Sequence, residues 1–207
     1  MNRQLAMVVE ADRCIGCHGC KVACKFEHDI GPGASRVNTY TMGPVGDFPH
    51  LSMYFMTVHC QQCEEPGCVA VCPTGACYRS DKDGVVRVDP ELCIGCQSCL
   101  RACPYQANCF DPDRRVADKC DLCAELREEG KEPACVHNCP GGALHFGDIT
   151  DPESDVAKLL AENAEQVYTL KDDTGVRPSG RFILKREKWI GELPHEFEQA
   201  LREGRIE

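Results

Sequence analysis

Cysteine is the residue type in this sequence that could do chemistry, and it recurs in four motifs with short, regular spacing. The chain has 18 cysteines in 207 residues, about 9%, and a cysteine thiolate is a ligand for soft metals. Sixteen of them form the four motifs: Cys14, Cys17, Cys20 and Cys24; Cys60, Cys63, Cys68 and Cys72; Cys93, Cys96, Cys99 and Cys103; Cys120, Cys123, Cys135 and Cys139.

The spacing within these motifs fits iron–sulfur cubes. In the first and third motifs, three thiolates at i, i+3 and i+6 can reach three corners of one cube, and Gly16, Gly19 and Gly95 let backbone amides approach the sulfurs. In two-cluster ferredoxins, the last cysteine of such a motif ligates the neighbouring cluster. The last three motifs also end in Cys-Pro. The repeated pattern predicts four [4Fe–4S] clusters, with iron bound through all sixteen cysteines.

Two other kinds of site fit parts of the pattern. Structural zinc is often held by two separated Cys-x2-Cys pairs, and the fourth motif alone could be such a site. The first and third motifs fit zinc poorly, because a third cysteine follows after only two residues. A disulfide scaffold needs an oxidising compartment, yet residues 1–10 have no long apolar run and the only Arg-Arg pair is at 114–115, so we expect no signal peptide or twin-arginine signal.

Several residues beside the motifs are secondary candidates. Cys77 and Cys109 lie outside the motifs and are predicted to be small packed hydrophobes. His18 and His59 adjoin ligands and are interpreted as loop residues or hydrogen-bond donors to a site. Five cations adjoin ligands and could raise a cluster potential, although each could equally be a solvated surface charge. These five are Arg13, Lys21, Lys25, Arg101 and Lys119.

The elements between the motifs predict an α+β fold. Short β-like runs flank each motif, and short helical pieces are expected to carry the last cysteines, as in residues 21–28. This alternation predicts a tandem ferredoxin-like arrangement of two pseudo-repeated two-cluster units. No cysteine follows Cys139, so a cluster-free C-terminal extension is expected. In it, Asp151-Pro152 predicts the start of a helix, and Phe197 with Leu201 a last short helix.

Composition excludes several functions. With 33 acidic and 23 basic residues the net charge is −10, which argues against nucleic-acid binding through a basic face. The longest apolar runs have four or five residues, too few for a membrane span. No G-x-G-x-x-G follows a predicted strand, so nucleotide binding has no support. We therefore expect no catalytic residues in this chain and predict electron transfer as its function.

The four-motif layout resembles the iron–sulfur electron-transfer subunits of the dimethyl sulfoxide reductase, or molybdopterin oxidoreductase, family. The resemblance covers residues 5–148 and is closest from Cys93 through Cys103-Pro104-Tyr105. Nitrate reductase relatives replace one cysteine by tryptophan and carry a [3Fe–4S] centre. Here every ligand position is cysteine, and the single tryptophan, Trp189, is far from the motifs.

The resemblance implies how the cysteines pair and how the chain divides. It implies an inner two-cluster unit at 56–107, an outer unit formed by 1–55 with 108–148, and a partner-contacting or wrapping extension at 149–207. We number the implied ligand groups first to fourth. They are Cys14, Cys17, Cys20 and Cys139; Cys60, Cys63, Cys68 and Cys103; Cys93, Cys96, Cys99 and Cys72; Cys120, Cys123, Cys135 and Cys24.

The family also implies partners. A subunit of this kind passes electrons between a large molybdopterin-containing catalytic subunit and an integral-membrane, quinol-oxidising anchor or another donor. The alternative is a free-standing soluble polyferredoxin that serves several enzymes. The resemblance leaves two locations open for a membrane-associated complex: outside the cytoplasm, by co-export with a twin-arginine partner, or in the cytoplasm.

Overall fold

The computed structural model describes residues 3–190, and the helix predicted around Phe197 and Leu201 lies outside them. Within this range the chain is α+β, with ten strands and six α-helices. The strands are β1 Leu5–Glu10, β2 Asn38–Val45, β3 Ser52–Val58, β4 Cys77–Arg79, β5 Val86–Val88, β6 Asn108–Asp111, β7 Val116–Lys119, β8 Leu144–Asp148, β9 Val167–Tyr168 and β10 Arg181–Ile183. The helices are α1 Gly19–Glu27, α2 Gly67–Ala70, α3 Ser98–Ala102, α4 Ala124–Glu128, α5 Ala134–His137 and α6 Asp155–Glu162.

The largest sheet joins the two ends of the described chain. Its strand order is β8-β1-β10-β9, with β1 antiparallel to β8 and parallel to β10. β1 reads as an almost continuous apolar run because both of its faces are buried. Leu5, Met7 and Val9 face the main core, whereas Val8 packs with residues of α6 and β10.

Three two-stranded hairpins and two helix pairs make up the rest of the cysteine-bearing core. The hairpins are β2–β3, β4–β5 and β6–β7. Helix α1 packs against α5, and α2 against α3, so the four helices that carry motif cysteines meet in pairs. The longest helix in the described part, α1, has nine residues, and no helix there is long and apolar enough to cross a membrane.

The segment after β8 begins with a helix whose start differs from the prediction. Asp151-Pro152 is expected to open it, but Ser154 is the N-cap, and its Oγ accepts a hydrogen bond from the amide of Ala157 at 3.1 Å. Asp151 instead closes a turn in front of the helix, where its carbonyl accepts from the Ser154 amide at 3.0 Å. The serine hydroxyl satisfies a free amide of the first turn, which sets the helix start.

The C-terminal part of the described chain is tied into the core rather than lying loosely on it. The indole of Trp189 stacks on Tyr168 at 5.1 Å between ring centroids, and it lies 5.4 Å from the ring of Phe182. Backbone hydrogen bonds join this segment to the second motif, including Ser179 N to Gln61 O at 2.9 Å and Glu64 N to Arg177 O at 2.9 Å.

Candidate iron–sulfur sites

The same backbone turn opens all four cysteine motifs. The residue just before the second cysteine is left-handed in each motif, with φ of 65° at Gly16, 47° at Gln62, 69° at Gly95 and 61° at Leu122. Glycine adopts this conformation at little cost, whereas a residue with a side chain needs compensation. The Gln62 side chain supplies it by donating to the carbonyl of Cys120 at 2.9 Å and accepting from the amide of Val86 at 2.7 Å.

Gly16 is required by space as well as by conformation. A Cβ at this position would lie 2.7 Å from ring atoms of Phe55, closer than side chains tolerate. Phe55 lies on β3, so the hairpin β2–β3 covers the loop of the first motif. The sequence suggests only that glycines bring amides close to the sulfurs, and the ring above the loop is visible only in the fold.

The four cysteines of the first group line one cavity. This small cavity is partly open to solvent, and it is bordered by two threonines of the β2–β3 hairpin and by Cys14, Cys17, Cys20 and Cys139. The Oγ1 of Thr57 lies 3.6 Å from the sulfur of Cys14, and the Oγ1 of Thr39 lies 3.7 Å from that of Cys20. His18 also borders this cavity, with its side chain exposed.

The four cysteines of the second group line another small cavity, partly open to solvent. Its wall contains Cys60, Cys63, Cys68 and Cys103, and it is completed by Tyr105, Lys119 and Val176. Val176 comes from the segment after β9, so the C-terminal region contributes to the wall of this cavity.

Tyr105 tests whether a cluster fits the second cavity. Its hydroxyl is buried and has no hydrogen-bond partner within residues 3–190. Buried polar groups nearly always have partners, so the hydroxyl needs an acceptor that these residues do not supply. The sulfurs of an iron–sulfur cluster accept hydrogen bonds. The four thiols and the unpaired donor therefore fit a cluster in this cavity.

The other two groups are held together as neighbours. In the fourth group, Cys120 lies beside Cys24 and Cys135, and Cys24 lies beside Cys123. In the third group, Cys96 lies beside Cys99 and Cys72. Cys93 and Cys72 both pack against the small buried cluster that contains Cys99. In the described part of the chain, no three His, Cys, Asp or Glu side chains are placed to hold a single metal ion.

Backbone amides point at the motif sulfurs in a repeated manner. After each Cys-Pro the chain turns back, and an amide four or five residues on donates to the sulfur of that cysteine: Cys77 to Cys72 at 3.3 Å, Ala107 to Cys103 at 3.4 Å and Ala143 to Cys139 at 3.2 Å. The amide of Ala117, which lies 24 residues further along the chain, also donates to the sulfur of Cys93, at 3.4 Å. Such donors stabilise negative charge on sulfur, which an iron–sulfur cluster carries.

Burial raises the pKa of eight of the sixteen motif thiols, which favours their protonated form when no metal is bound. It raises the pKa of Cys24 to about 12 and that of Cys103 to about 11, and it raises the pKa of Cys120 and Cys135 well above the ordinary value. Thiolates bind metal and thiols do not, so iron binding here must displace protons.

Cys99 is one of three motif cysteines, with Cys72 and Cys96, whose pKa lies below the ordinary value. The neighbouring thiol of Cys77 lowers the pKa of Cys99 by stabilising its thiolate. Cys77 is buried, as predicted for a small packed residue, but it is also a donor to a ligand sulfur, which the sequence does not indicate. The other non-motif cysteine, Cys109, is half-buried on β6, and burial raises its pKa to about 11.

Histidine contacts differ from those suggested by sequence position. His28, at the end of α1, places Nε2 3.2 Å from the sulfur of Cys123, and burial lowers the pKa of its ring. His59 is completely buried, which lowers its pKa to about 4, and both of its ring nitrogens lack partners within residues 3–190. Sequence position points to His18 and His59, whereas the only signal for His28 is its place at the end of the helix carrying Cys24.

The five candidate cations also separate. Arg13 and Arg101 are exposed, Lys21 is half-buried, and the ammonium of Lys25 donates to two backbone carbonyls, those of Gly31 and Ala34, at 2.6 Å each. Lys119 alone of the five is buried, and its Nζ lies 3.7 Å from the sulfur of Cys68. Burial alone would lower the pKa of Lys119, but the thiolates of Cys60, Cys68 and Cys103 outweigh it and raise the pKa.

Comparison with known proteins agrees with this geometry. Two family models match, both described as 4Fe-4S dicluster domains, one at residues 13–76 and one at 51–149. The thiosulfate reductase electron transfer subunit PhsB of Salmonella typhi is 44% identical over 192 residues, 92% of this chain and 95% of that protein. The polysulfide reductase B subunit of Wolinella succinogenes is 40% identical over 191 residues, 91% of this chain and 97% of that protein. Protein NrfC of Escherichia coli strain K12 is 41% identical over 173 residues, 83% of this chain and 77% of that protein.

The chain belongs to the iron–sulfur electron-transfer subunits of the molybdopterin oxidoreductase family. As a subunit of this kind it is not catalytic on its own, and its two dicluster domains indicate [4Fe–4S] clusters. The tandem arrangement expected from the motifs agrees with the two matches, which together span residues 13–149.

Proposed function

We propose that this subunit relays single electrons through four [4Fe–4S] clusters between a molybdopterin-containing catalytic subunit and a membrane quinol-oxidising anchor or another redox partner. One observation carries the proposal. The cysteines of the first group line one cavity and those of the second group line another, and in each cavity the last cysteine of another motif is present. The neighbours of Cys96 and of Cys120 likewise include the last cysteine of another motif, Cys72 and Cys24. This interleaving supports the first to fourth groups as the ligand sets of four clusters.

The helix pairs support the proposed division of the chain into two cluster units. α2 and α3 carry cysteines of the second and third motifs and pack together, which supports the inner unit at 56–107. α1 and α5 carry those of the first and fourth motifs and also pack together, which supports an outer unit built from 1–55 and 108–148. We propose the remainder, 149–207, as the extension.

The chain's own residues prepare each group for a negatively charged cluster. When bound, a [4Fe–4S] cluster accepts and releases one electron at a time. Amides after the Cys-Pro turns donate to the ligand sulfurs of Cys72, Cys103 and Cys139, and buried side chains exclude water around the fourth group. A compact chain of this length is about 43 Å across, so four clusters inside it would lie ~10–15 Å from their neighbours, close enough for tunnelling.

The relatives favour a relay subunit over a free-standing polyferredoxin. Several are named as parts of reductases, including a polysulfide and a thiosulfate reductase. The proposed partner is therefore a large molybdopterin-containing chain.

Iron analysis tests this function directly. The full chain, isolated without oxygen together with its partners, is expected to contain about 16 iron atoms per chain, from four cubes of four irons each. Low-temperature EPR should resolve four reducible clusters, and a molybdenum-containing chain should co-purify. Zinc or cystine at these cysteines would contradict the proposal, and a monomer that exchanges electrons freely would favour the carrier.

A further inference from the structure

Lys119 lies at a junction between two cysteine groups. It is the last residue of β7, and Cys120 of the fourth group follows it directly. Its side chain turns away from that group and enters the wall of the second cavity, where Nζ donates to the sulfur of Cys68 at 3.7 Å. The residue is 3% exposed, so its charge is removed from water and from the screening of surface ions.

The charge of Lys119 is not balanced by a carboxylate. Among the described residues it forms no ion pair with Asp or Glu, and its ammonium faces the thiols of Cys60 and Cys68. Arg36, which is half-buried near the fourth group, differs in this respect, because its guanidinium is paired with Asp118 at 2.7 Å and with Asp121 at 3.4 Å. A buried cation needs a negative partner. In the second cavity, only the cysteine sulfurs and the group they hold can supply one.

We propose that the ammonium of Lys119 raises the reduction potential of the cluster held by Cys60, Cys63, Cys68 and Cys103. The inference rests on the proposed ligation of that cluster. Reduction adds one negative charge inside the cavity. A fixed positive charge a few ångströms away stabilises the reduced form more than the oxidised form, and weak screening preserves the difference. The hydroxyl of Tyr105, buried in the same wall, adds a second donor.

Isotope labelling identifies the cluster that Lys119 contacts. The full chain in its complex is prepared with ¹⁵N-lysine, and each reduced cluster is examined by pulsed EPR as it appears during a redox titration. One cluster signal is expected to carry a ¹⁵N coupling that disappears in Lys119→Arg, a variant that keeps the charge and changes the nitrogen label. The same signal should retain most of its potential in that variant.

Removing the charge tests the effect on the potential. In Lys119→Met, the labelled couple, meaning the redox couple whose signal shows the ¹⁵N coupling in the wild type, is expected to shift to lower potential. Its reduction equilibrium constant should fall by at least tenfold, which corresponds to about 59 mV for one electron. The other three couples should move less. Lys21→Met is the matched control, because Lys21 follows the ligand Cys20 but is only half-buried, and it should leave the labelled couple in place. Tyr105→Phe should move the same couple as Lys119→Met, by a smaller amount.

Each result decides the proposal. It is overturned if no cluster signal shows the lysine coupling, if Lys119→Met keeps its iron and leaves the couple unchanged, or if all four couples move equally. If Lys119→Met loses iron, Lys119→Gln is titrated in its place. If both variants lose iron, the ¹⁵N coupling in the labelled wild type decides the proposal. A failure of the proposed function would be seen separately, because the wild-type protein would then lack sixteen irons and four clusters.

Discussion

A buried thiol beside a ligand thiolate is a hydrogen-bond donor, and Cys77 occupies that position next to Cys99. Cys77 lies at the start of β4, where its own amide donates to the sulfur of Cys72. One residue thus contacts two sulfurs of the third group, through its backbone and through its side chain. The motif spacing predicts no ligand role for Cys77, because this residue belongs to no motif.

Cys77→Ala should lower the reduction potential of the cluster in the third group. Loss of an S–H donor is worth about 0.5–1 kcal/mol, or roughly two- to fivefold in the reduction equilibrium constant. Redox titration followed by EPR measures the shift. Cys77→Ser retains a hydroxyl donor and should shift the couple less, and equal potentials in the two variants would show that the hydrogen bond has no effect.

Gly16→Ala should reduce cluster occupancy in the first group. The added Cβ meets the Phe55 ring at 2.7 Å, and the backbone at φ 65° is strained for alanine. We expect iron content to fall by up to four atoms per chain, measured by metal analysis. Gly130→Ala is the matched control, since Gly130 has φ 74° but no atom within 4 Å of the added Cβ, and it should keep all its iron. Full iron in both variants would contradict the steric argument.

Among the elements, α6 depends on one capping residue. Ser154→Ala removes the acceptor for the Ala157 amide and should lower the free energy of unfolding by about 1 kcal/mol. Denaturant unfolding of the holo complex followed by circular dichroism measures this loss. Ser154→Asp keeps a capping oxygen and should stay close to wild type. If both variants lose the same stability, the cap is not the cause.

Local pattern accounts for the elements that the sequence predicts well. The cysteine spacing and the glycines mark the tight loops. Short apolar runs predict α1 and four of the strands, which lie near residues 7–9, 54–56, 85–88 and 143–146. Long-range features are not accessible in this way. The left-handed backbone of Gln62 depends on hydrogen bonds with distant segments, and Leu122 is left-handed in a fully buried position. The buried side chain of Lys119 reaches Cys68 on α2, which is distant in sequence.

In the candidate site, too, only the local features are predictable from the sequence. The sixteen cysteines and their motifs are visible in the sequence, because ligand spacing is a local property. The side chains that surround them come from other parts of the chain: Thr39 and Thr57 from the β2–β3 hairpin, and Val176 from beyond β9. Nothing in the sequence near the motifs indicates these neighbours.

At the scale of the whole molecule, the cysteine groups link the buried interior to metal binding. Many of the buried side chains are ligand cysteines, and burial raises the pKa of several of them, as for Cys24 and Cys103. Metal therefore competes with protons at the centre of the protein, and the folded state of the core depends on which of them occupies the sulfurs.

Iron loss from the holo protein should accelerate as the pH falls. The ligands must be thiolates, and the pKa values of the metal-free thiols of Cys24 and Cys103, raised by burial to about 12 and about 11, lie above neutral pH. Protons therefore displace iron more readily at each lower pH below about 11, the lower of these two values. Bleaching of visible absorption in the presence of a chelator measures the rate, with chelator-free samples at each pH as controls. A pH-independent rate would contradict this account.

The interleaved grouping of the cysteines also orders events during synthesis of the chain. On the proposed ligation, the second and third groups have all their ligands once residue 103 has left the ribosome. The first and fourth groups wait for Cys139 and Cys135. β1 gains its neighbours later still, when β8 and β10 have been made. The inner pair can therefore take up iron on a nascent chain in which the thiols of the first motif still belong to incomplete sites. Among the described strands of the main sheet, β10 is made last, and it lies beside β1.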